Sequence, residues 1–267
     1  MTEFQVSQVD ISVCLCTFNR ASMLQGALNS LIKQQTCGLF TFEIVVVDDG
    51  STDGTPEILD HLIATSPVAI RYVRQKNQGV GSARNRSVHD ATGEWIAFFD
   101  DDQIASAKWL YHLYRAALET DAVCVGGPVK LLILEGCEIS PVGTVRKLLG
   151  ENPLMSGKLS PLRRLDPRSS NLAVPGTGNA LVRKSVFCGL GGFEEGQRYG
   201  EDFQFFQKLK QSGCRIAVAQ DASVQHLIPA SRLTPEYLLP LAAKSGAFQF
   251  DFDWHNGVFL FVNRFRL

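Results

Sequence analysis

The hydrophobic positions in the first half of the chain alternate between two patterns. Apolar or β-rich runs predict buried strands at 10–18 (DISVCLCTF), 42–50 (FEIVVVDDG), 69–75 (AIRYVRQ) and 94–100 (EWIAFFD). The stretches between them predict helices that reach about Gln35, Ser66 and Gly93. Near-continuous apolar strands separated by helices predict an α/β fold, with a mostly parallel central sheet covered by helices on both faces.

The second half continues the pattern less regularly. The predicted elements are a helix at 106–120, single strands at 122–133 and 215–226, and an amphipathic helix at 200–213. Between about Glu135 and Pro175 the pattern loosens into a loop-rich region, which we expect to be functional or mobile because long loops are uncommon in compact domains. The aromatic-rich stretch from Thr234 predicts a C-terminal helical tail.

The composition narrows the class of protein. With 267 residues, 45% of them hydrophobic, the chain can bury one large core, and its net charge of -1 gives no electrostatic case for nucleic acid as a partner. The polar N-terminus does not resemble a signal peptide, and the apolar runs are too short for a transmembrane helix. The seven cysteines lack a CxxC pair, so we expect reduced thiols in a cytoplasmic protein.

Clustered aspartates stand at the ends of two predicted strands. Asp48 and Asp49 end the second strand, and three consecutive aspartates, Asp100 to Asp102, end the fourth. Each cluster alone could be a solvated turn. Ligands of open parallel sheets bind beyond the carboxyl ends of the strands, however, so both clusters should meet at one edge. A bare acidic crevice would repel a phosphorylated ligand, and Mn²⁺ or Mg²⁺ would resolve this because it binds carboxylates and phosphates together.

The segment 77–85 (NQGVGSARN) could cradle a phosphate, because its glycines open a helix whose N-terminus favours anions. It also resembles the dinucleotide fingerprint GxGxxG, but Arg84 stands at the third glycine position and the segment follows the third strand. This broken match is weak evidence for a dehydrogenase. Arg84 and Arg86 would either supply cations near a pyrophosphate or lie on a solvated helix face.

A third acidic site begins the predicted helix at 200–213. The helix dipole alone would favour Glu201 and Asp202 there. The glycine-rich approach, 189–202 (GLGGFEEGQRYGED), would also let the backbone come close to a ligand, and a carboxylate in this position could act as a general base. One residue can serve both as helix cap and as base.

Six segments form a series along residues 9–226. They are CTFNR (16–20), VVVDDGSTDGT (45–55), NQGVGSARNRSVHDATGEWIAFFDDD (77–102), GTGNALVRKSVF (176–187), GLGGFEE (189–195) and GEDFQFF (200–206). In this order they resemble the family 2 glycosyltransferases of the GT-A fold. The resemblance implies an inverting enzyme that uses a nucleotide-activated sugar. Its catalytic domain would span 1–232, with a nucleotide-sugar half at about 9–130 and an acceptor half at about 131–232, followed by a tail at 233–267.

The resemblance also assigns the nucleotide site. Thr17, Asn19 and Arg20 would lie around the nucleotide. Asp49 would accept a hydrogen bond from the base, most simply from a uracil N–H, and Arg84 is the candidate cation near the diphosphate. The expected donor is therefore a nucleotide-diphosphate sugar, most simply a UDP-sugar.

The DxD motif of the family falls on Asp100 and Asp102. Asp102 would be the direct ligand of Mn²⁺ or Mg²⁺, with Asp100 near the ribose and the metal, and Asp101 leaves the register open by one residue. His226 matches a histidine that lies near the metal in some GT-A enzymes, although a lone histidine near a strand end is more often structural.

Asp202 matches the catalytic base of the family, and Glu201 is the next candidate. The chain lacks the QxxRW motif of processive members, so we expect transfer of a single sugar to a saccharide, a lipid-linked compound or another hydroxyl acceptor. The protein would be cytoplasmic, either free or peripherally attached at the inner face of the membrane. A metal-dependent nucleotidyltransferase and a non-catalytic nucleotide-sugar-binding module stay open as alternatives.

Overall fold

A computed structural model describes residues 9–135, 141, 143–152, 162–165, 175–196 and 200–255. The chain divides into two compact units, one comprising Met1–Leu132 and Glu151–Leu227, the other Ile133–Gly150 and Ile228–Leu267. Most of the predicted loop-rich region and the end of the predicted tail lie outside the described residues. The predicted boundary after residue 232 and the two predicted functional halves stay predictions.

The strands of the described residues are β1 (Ile11–Thr17), β2 (Phe42–Asp48), β3 (Ile70–Arg74), β4 (Trp95–Asp100), β5 (Gln103–Ala105), β6 (Cys124–Gly126), β7 (Val129–Ile133), β8 (Leu162–Leu165), β9 (Ala180–Arg183), β10 (Ile216–Ala219) and β11 (Val224–Ile228). The helices are α1 (Ala21–Ile32), α2 (Thr55–Thr65), α3 (Val80–Asp90), α4 (Trp109–Thr120), α5 (Gly143–Leu148), α6 (Lys184–Gly189), α7 (Glu201–Gln211) and α8 (Pro235–His255), with a 3₁₀ turn at Ala230–Leu233. Within this part of the chain, no helix is both long and apolar enough to cross a bilayer.

The larger sheet has the order β3-β2-β1-β4-β9-β6-β10-β8. Strands β3, β2, β1 and β4 run parallel, whereas β9 is antiparallel to both of its neighbours. In this register Thr17 lies opposite Asp48, and Cys16 lies opposite Asp100. The predicted mostly parallel sheet is confirmed, and the strand ends that carry the aspartates share one edge.

Helices cover both faces of this sheet, as predicted. On one face α1, α2 and α4 pack against Val13, Leu15 and Phe99. On the other face α3, α6 and α7 pack against Cys14 and Phe98. Successive residues of β1 and β4 therefore enter opposite core layers, which is the two-residue period of a strand.

Three predicted elements are wrong in their extent. The segments 122–133 and 215–226 each form two strands, because in each case the second strand leaves the large sheet and joins β5 in a smaller sheet ordered β5-β11-β7. Pro128 separates β6 from β7, and it has no N–H for a continuous ladder. Helix α3 ends at Asp90 rather than near Gly93. At Gly93 the backbone passes close to β1, and a Cβ on this residue would lie only 2.6 Å from Ser12 N.

Glu43 of β2 is buried near the edge of the sheet where the strands begin. Its Oε1 accepts hydrogen bonds from Ser12 Oγ and from Thr92 N and Oγ1, each at 2.7 Å. Burial alone would raise the pKa of Glu43, but these hydrogen bonds and the nearby Arg71 outweigh it and hold the pKa below its ordinary 4.5.

Glu43→Gln is expected to lower the free energy of unfolding at pH 7 by about 1–2 kcal/mol, since hydrogen bonds to a charged acceptor are stronger than those to a neutral one. A carboxyl group with a depressed pKa stabilises the fold above its unfolded pKa and loses that contribution as the pH falls through the folded value. The deficit of the variant should therefore shrink below pH 4.5. Urea denaturation on both sides of that pH measures it, and an unchanged deficit would contradict the charge-based account.

Candidate active site

The loops that follow β1 and β2 are joined by hydrogen bonds. Asn19 N–H donates to Ser51 Oγ at 2.9 Å, and Thr52 N–H donates to Asn19 Oδ1 at 2.8 Å. Asn19 has a φ of 54°, in the left-handed region that asparagine tolerates better than most residues. The Asn19 side chain thus ties two loops together at the predicted nucleotide edge, next to the buried Thr17.

Asp49, the predicted partner of the base, is 4% exposed and accepts three hydrogen bonds. Its Oδ1 accepts from Gln75 Nε2 at 2.7 Å and from Gln78 N at 3.0 Å, and its Oδ2 accepts from Gly79 N at 2.8 Å. Asp49 therefore holds the turn that precedes α3. A carboxylate oxygen has two acceptor positions, so Oδ2 can accept one more hydrogen bond.

Two arginines form ion pairs with the aspartates at the end of β4. Arg20 Nη1 donates to Asp102 Oδ2 at 3.0 Å, and Arg84 Nη2 donates to Asp100 Oδ1 at 3.0 Å. Asp101 is 8% exposed, and burial, together with the charge of Asp102, raises its pKa to about 7. The protein itself therefore supplies cations to the outer two carboxylates, while the middle one is the most costly to ionise.

Arg84 is the central cation of the site. Its Nη1 donates to Glu201 Oε1 at 2.6 Å, in addition to the bond from Nη2 to Asp100. The Arg84 side chain is only 13% exposed, so it does not lie on a solvated helix face, whereas Arg86 is 48% exposed and pairs with Asp90. Burial alone would lower the pKa of Arg84, but the surrounding carboxylates outweigh it and raise the pKa further.

The two acids at the start of α7 have different surroundings. Glu201 is 4% exposed and ion-paired with Arg84, yet burial raises its pKa. Asp202 is half-buried, and its Oδ1 accepts from Phe203 N at 2.8 Å while its Oδ2 accepts from Thr177 Oγ1 at 3.4 Å. No lysine or arginine among the described residues lies within ion-pair distance of Asp202. Its carboxylate is the more available of the two.

A short glycine strip, Gly176–Gly178, passes beside both acidic groups. A Cβ on Gly176 would lie 3.6 Å from Asp202 Oδ2, and a Cβ on Gly178 would lie 3.0 Å from Asp100 Oδ2. Two residues of chain span at most about 7 Å. The acids from the end of β4 and from the start of α7 therefore lie beside opposite ends of one strip.

Asp102 and His226 lie close to each other. His226 Nε2 lies 3.4 Å from Asp102 Oδ2, and Leu227 N–H donates to the Asp102 carbonyl oxygen at 2.8 Å, which holds β11 beside the aspartates. Adjacent ligands of an octahedral ion with bonds of about 2.1 Å stand about 3 Å apart, so these two side chains fit Mg²⁺ or Mn²⁺. In the described part of the chain no three His, Cys, Asp or Glu side chains could hold a metal by themselves. Further ligands would have to come from phosphate oxygens and water.

Sequence reasoning missed two side chains at this edge. Phe18 directly follows β1 and is 45% exposed, although it is aromatic. Gln103 directly follows the three aspartates and is 2% exposed. Phe18 continues the apolar pattern of the strand in the CTFNR segment, and nothing in the local sequence distinguishes Gln103 from a solvated turn residue.

Comparison with known proteins gives matches along most of the chain. A family model described as glycosyl transferase family 2 matches residues 12–188. The succinoglycan biosynthesis protein ExoM of Rhizobium meliloti (strain 1021) is 26% identical over 239 residues, which cover 88% of this chain and 72% of that protein. Chondroitin synthase of Escherichia coli is 26% identical over 245 residues, which cover 83% of this chain but only 35% of that protein.

Solved structures share the fold. S. aureus TarS 1-349 in complex with UDP-GlcNAc has a TM-score of 0.62 and 22% identity, covering 82% of this chain and 58% of that chain. GalNAc-T7 with UDP, GalNAc and Mn²⁺ has a TM-score of 0.62 and 18% identity, covering 84% of this chain and 44% of that chain. These likenesses confirm the predicted GT-A fold. Because the family model spans most of the sheet and its helices, the chain belongs, as predicted, to glycosyl transferase family 2.

Proposed function

We propose that the chain transfers a single sugar from a nucleoside-diphosphate sugar, most simply a UDP-sugar, to an acceptor hydroxyl with inversion of configuration. The observation that carries the proposal is the position of Asp100 and Asp202 beside opposite ends of the glycine strip. In the proposed reaction the acidic group of Asp100 serves the departing diphosphate, and that of Asp202 serves the incoming hydroxyl. Family membership supports a nucleotide sugar as donor, and the TarS complex with UDP-GlcNAc supports uracil as its base.

Asp202 acts as the general base in this proposal. It accepts the hydroxyl proton while the acceptor oxygen attacks the anomeric carbon from the face opposite the diphosphate. Such proton transfer contributes about 10²–10⁴-fold to the rate. Glu201 is the second candidate, but its carboxylate is held in an ion pair with Arg84 at 2.6 Å and is therefore less available to accept a proton.

The nucleotide binds at the loops after β1 and β2. Asp49 Oδ2 accepts the base N–H with its remaining acceptor position, and the exposed ring of Phe18 offers a surface on which the base can stack. Arg20 lies at the same edge, where its guanidinium can turn from Asp102 towards a phosphate. Thr17 and Asn19 shape this edge through the packing and hydrogen bonds of the loops.

Asp102 and His226 would hold Mn²⁺ or Mg²⁺, with Asp100 beside them. Bound there, the ion would offset the charge that develops on the departing diphosphate. Arg20 competes for the same carboxylate, since it donates to Asp102 Oδ2 at 3.0 Å. Metal binding and the release of Arg20 from Asp102 are therefore coupled.

Asp102→Asn tests the metal assignment. Calorimetry of UDP with and without Mn²⁺ should show tighter binding with the ion for the unmodified protein and a much smaller tightening for the variant, because a neutral amide oxygen binds a divalent cation more weakly than a carboxylate does. Asp90→Asn removes a carboxylate that pairs with Arg86, outside the site, and should leave the Mn²⁺ effect intact. An equal Mn²⁺ effect in all three proteins would reject Asp102 as the ligand.

The reaction products separate the candidate functions. A transferase incubated with its UDP-sugar and Mn²⁺ releases UDP. It transfers the sugar slowly to water and faster to an acceptor. A nucleotidyltransferase instead forms or consumes pyrophosphate, and a binding module releases neither. Separation of the products by anion-exchange chromatography over a panel of UDP-sugars distinguishes the three.

A further inference from the structure

Gln103 is a buried residue with an unused hydrogen-bond donor at the centre of the site. It is 2% exposed and begins β5, where it pairs with His226 of β11. Its Oε1 accepts from Asp100 N at 3.4 Å, which orients the amide group. Its Nε2 donates to no protein oxygen among the residues that the structure describes.

The unused Nε2 faces the glycine strip. A Cβ on Gly178 would lie 2.7 Å from Gln103 Nε2 and 3.0 Å from Asp100 Oδ2. A glycine at this position therefore keeps open the space in front of the amide. Because Nε2 donates to no protein oxygen in the described part of the chain, a ligand oxygen in that space can accept a hydrogen bond from it.

Another buried glutamine shows what a purely structural amide looks like in this fold. Gln34 Nε2 donates to Ser30 O at 3.1 Å and to Ser106 O at 2.8 Å, and its Oε1 accepts from Leu110 N at 2.9 Å. The bond to Ser30 closes the end of α1, and the bonds to Ser106 and Leu110 tie that end to the start of α4. Gln103 differs because its amide nitrogen is directed into the site instead of into such a network.

We propose that Gln103 Nε2 binds an oxygen of the donor sugar and so helps to select which nucleotide sugar is accepted. The inference rests on the proposed function, in which the sugar ring lies between the diphosphate at Asp100 and the acceptor at Asp202, over the strip that Gln103 faces. An amide N–H is a neutral donor, so it suits a hydroxyl or acyl oxygen of an uncharged hexose or N-acetylhexosamine. Polar groups of this kind discriminate strongly against analogues that lack the matching oxygen.

Two variants separate recognition of the sugar from support of Asp100. Gln103→Met keeps the side-chain length and removes both amide atoms, whereas Gln103→Glu keeps an oxygen for the Asp100 N–H but removes the donor. The measurement is calorimetric affinity for UDP and for UDP-glucose, UDP-galactose and UDP-N-acetylglucosamine. For the sugar nucleotide that binds best, both variants should lower its affinity relative to that of UDP by roughly 3- to 10-fold, the value of one hydrogen bond. Dividing by the affinity for UDP removes any effect of the added Glu charge on the diphosphate.

Gln34→Met is the matched control. It removes a buried amide that makes three hydrogen bonds, none of them to the strip, so it should lower the melting temperature and leave the affinity ratio unchanged. Sugar recognition by Nε2 would be overturned if the affinity for the sugar nucleotide relative to UDP were unchanged in both Gln103 variants. It would also be overturned if this relative affinity fell in Gln103→Met but not in Gln103→Glu. In either case intact binding of a UDP-sugar leaves the proposed function standing. If the unmodified protein binds none of the four nucleotides, the proposed function fails and the role of Gln103 fails with it.

Discussion

Asp202→Asn is expected to lower the turnover of the nucleotide sugar by about two to four orders of magnitude, because an amide cannot accept the proton of the acceptor hydroxyl. Donor affinity should hardly change, since in the proposed arrangement Asp202 serves the acceptor rather than the diphosphate. The fold should change little as well, because the asparagine oxygen can still accept the hydrogen bond from Phe203 N–H, and its amide nitrogen can donate to the Thr177 hydroxyl oxygen. Steady-state turnover, calorimetric donor affinity and the melting temperature together measure the effect.

Glu201→Gln is the matched comparison, one residue away on the same helix. Glu201 pairs with Arg84 and is 4% exposed, so Glu201→Gln should lower the stability more than Asp202→Asn does. It should lower the turnover less than Asp202→Asn does. The opposite order would make Glu201 the base and Asp202 the supporting residue. If both variants turned over sugar at the normal rate, the base would have to lie outside α7.

Arg84→Met is expected to lower the free energy of unfolding by about 3–5 kcal/mol, the usual result of removing one partner of a buried ion pair. The methionine keeps most of the aliphatic length but leaves Glu201, whose side chain is 5% exposed, without its cation. It also releases Asp100, so turnover should fall together with stability. Urea denaturation gives the free energy, and turnover is measured well below the denaturation midpoint.

Arg86→Met is the control for this substitution. Arg86 lies two residues further along α3, is 48% exposed and pairs with Asp90 at helical spacing. Exposed pairs of this kind contribute about 0.2–1 kcal/mol, so the control should remain near the stability of the unmodified protein. Arg84→Lys should fall between the two, because an ammonium group keeps the charge but cannot bridge two carboxylates with a planar fork. Equal stability of the two methionine variants would show that the bridge between Glu201 and Asp100 does not hold the site together.

The sequence by itself determined the layers of the fold and the edge at which the site lies. Apolar runs such as 42–48 and 95–99 must be buried, and their alternation with helices leaves few arrangements other than a parallel sheet with two covered faces. The acids at the ends of these runs then fall at one edge whatever the details of packing, as Thr17 opposite Asp48 and Cys16 opposite Asp100 show. The order of the six segments was enough to indicate the family, because each segment is local and needs no tertiary information.

Only the tertiary structure decided which groups meet at that edge. Arg84 pairs with residues 16 and 117 positions away, and no spacing along the chain distinguishes it from Arg86, which is exposed. The three hydrogen bonds that Asp49 accepts from the turn before α3 likewise have no signal in the residues around Asp49. The role that we propose for Gln103 has no local signal, since it depends on the absence of a Cβ at Gly178, 75 residues further along the chain. Periodic burial is encoded locally, whereas the pairing of charges and donors depends on how separate elements pack, and that is where the chemistry of this site is decided.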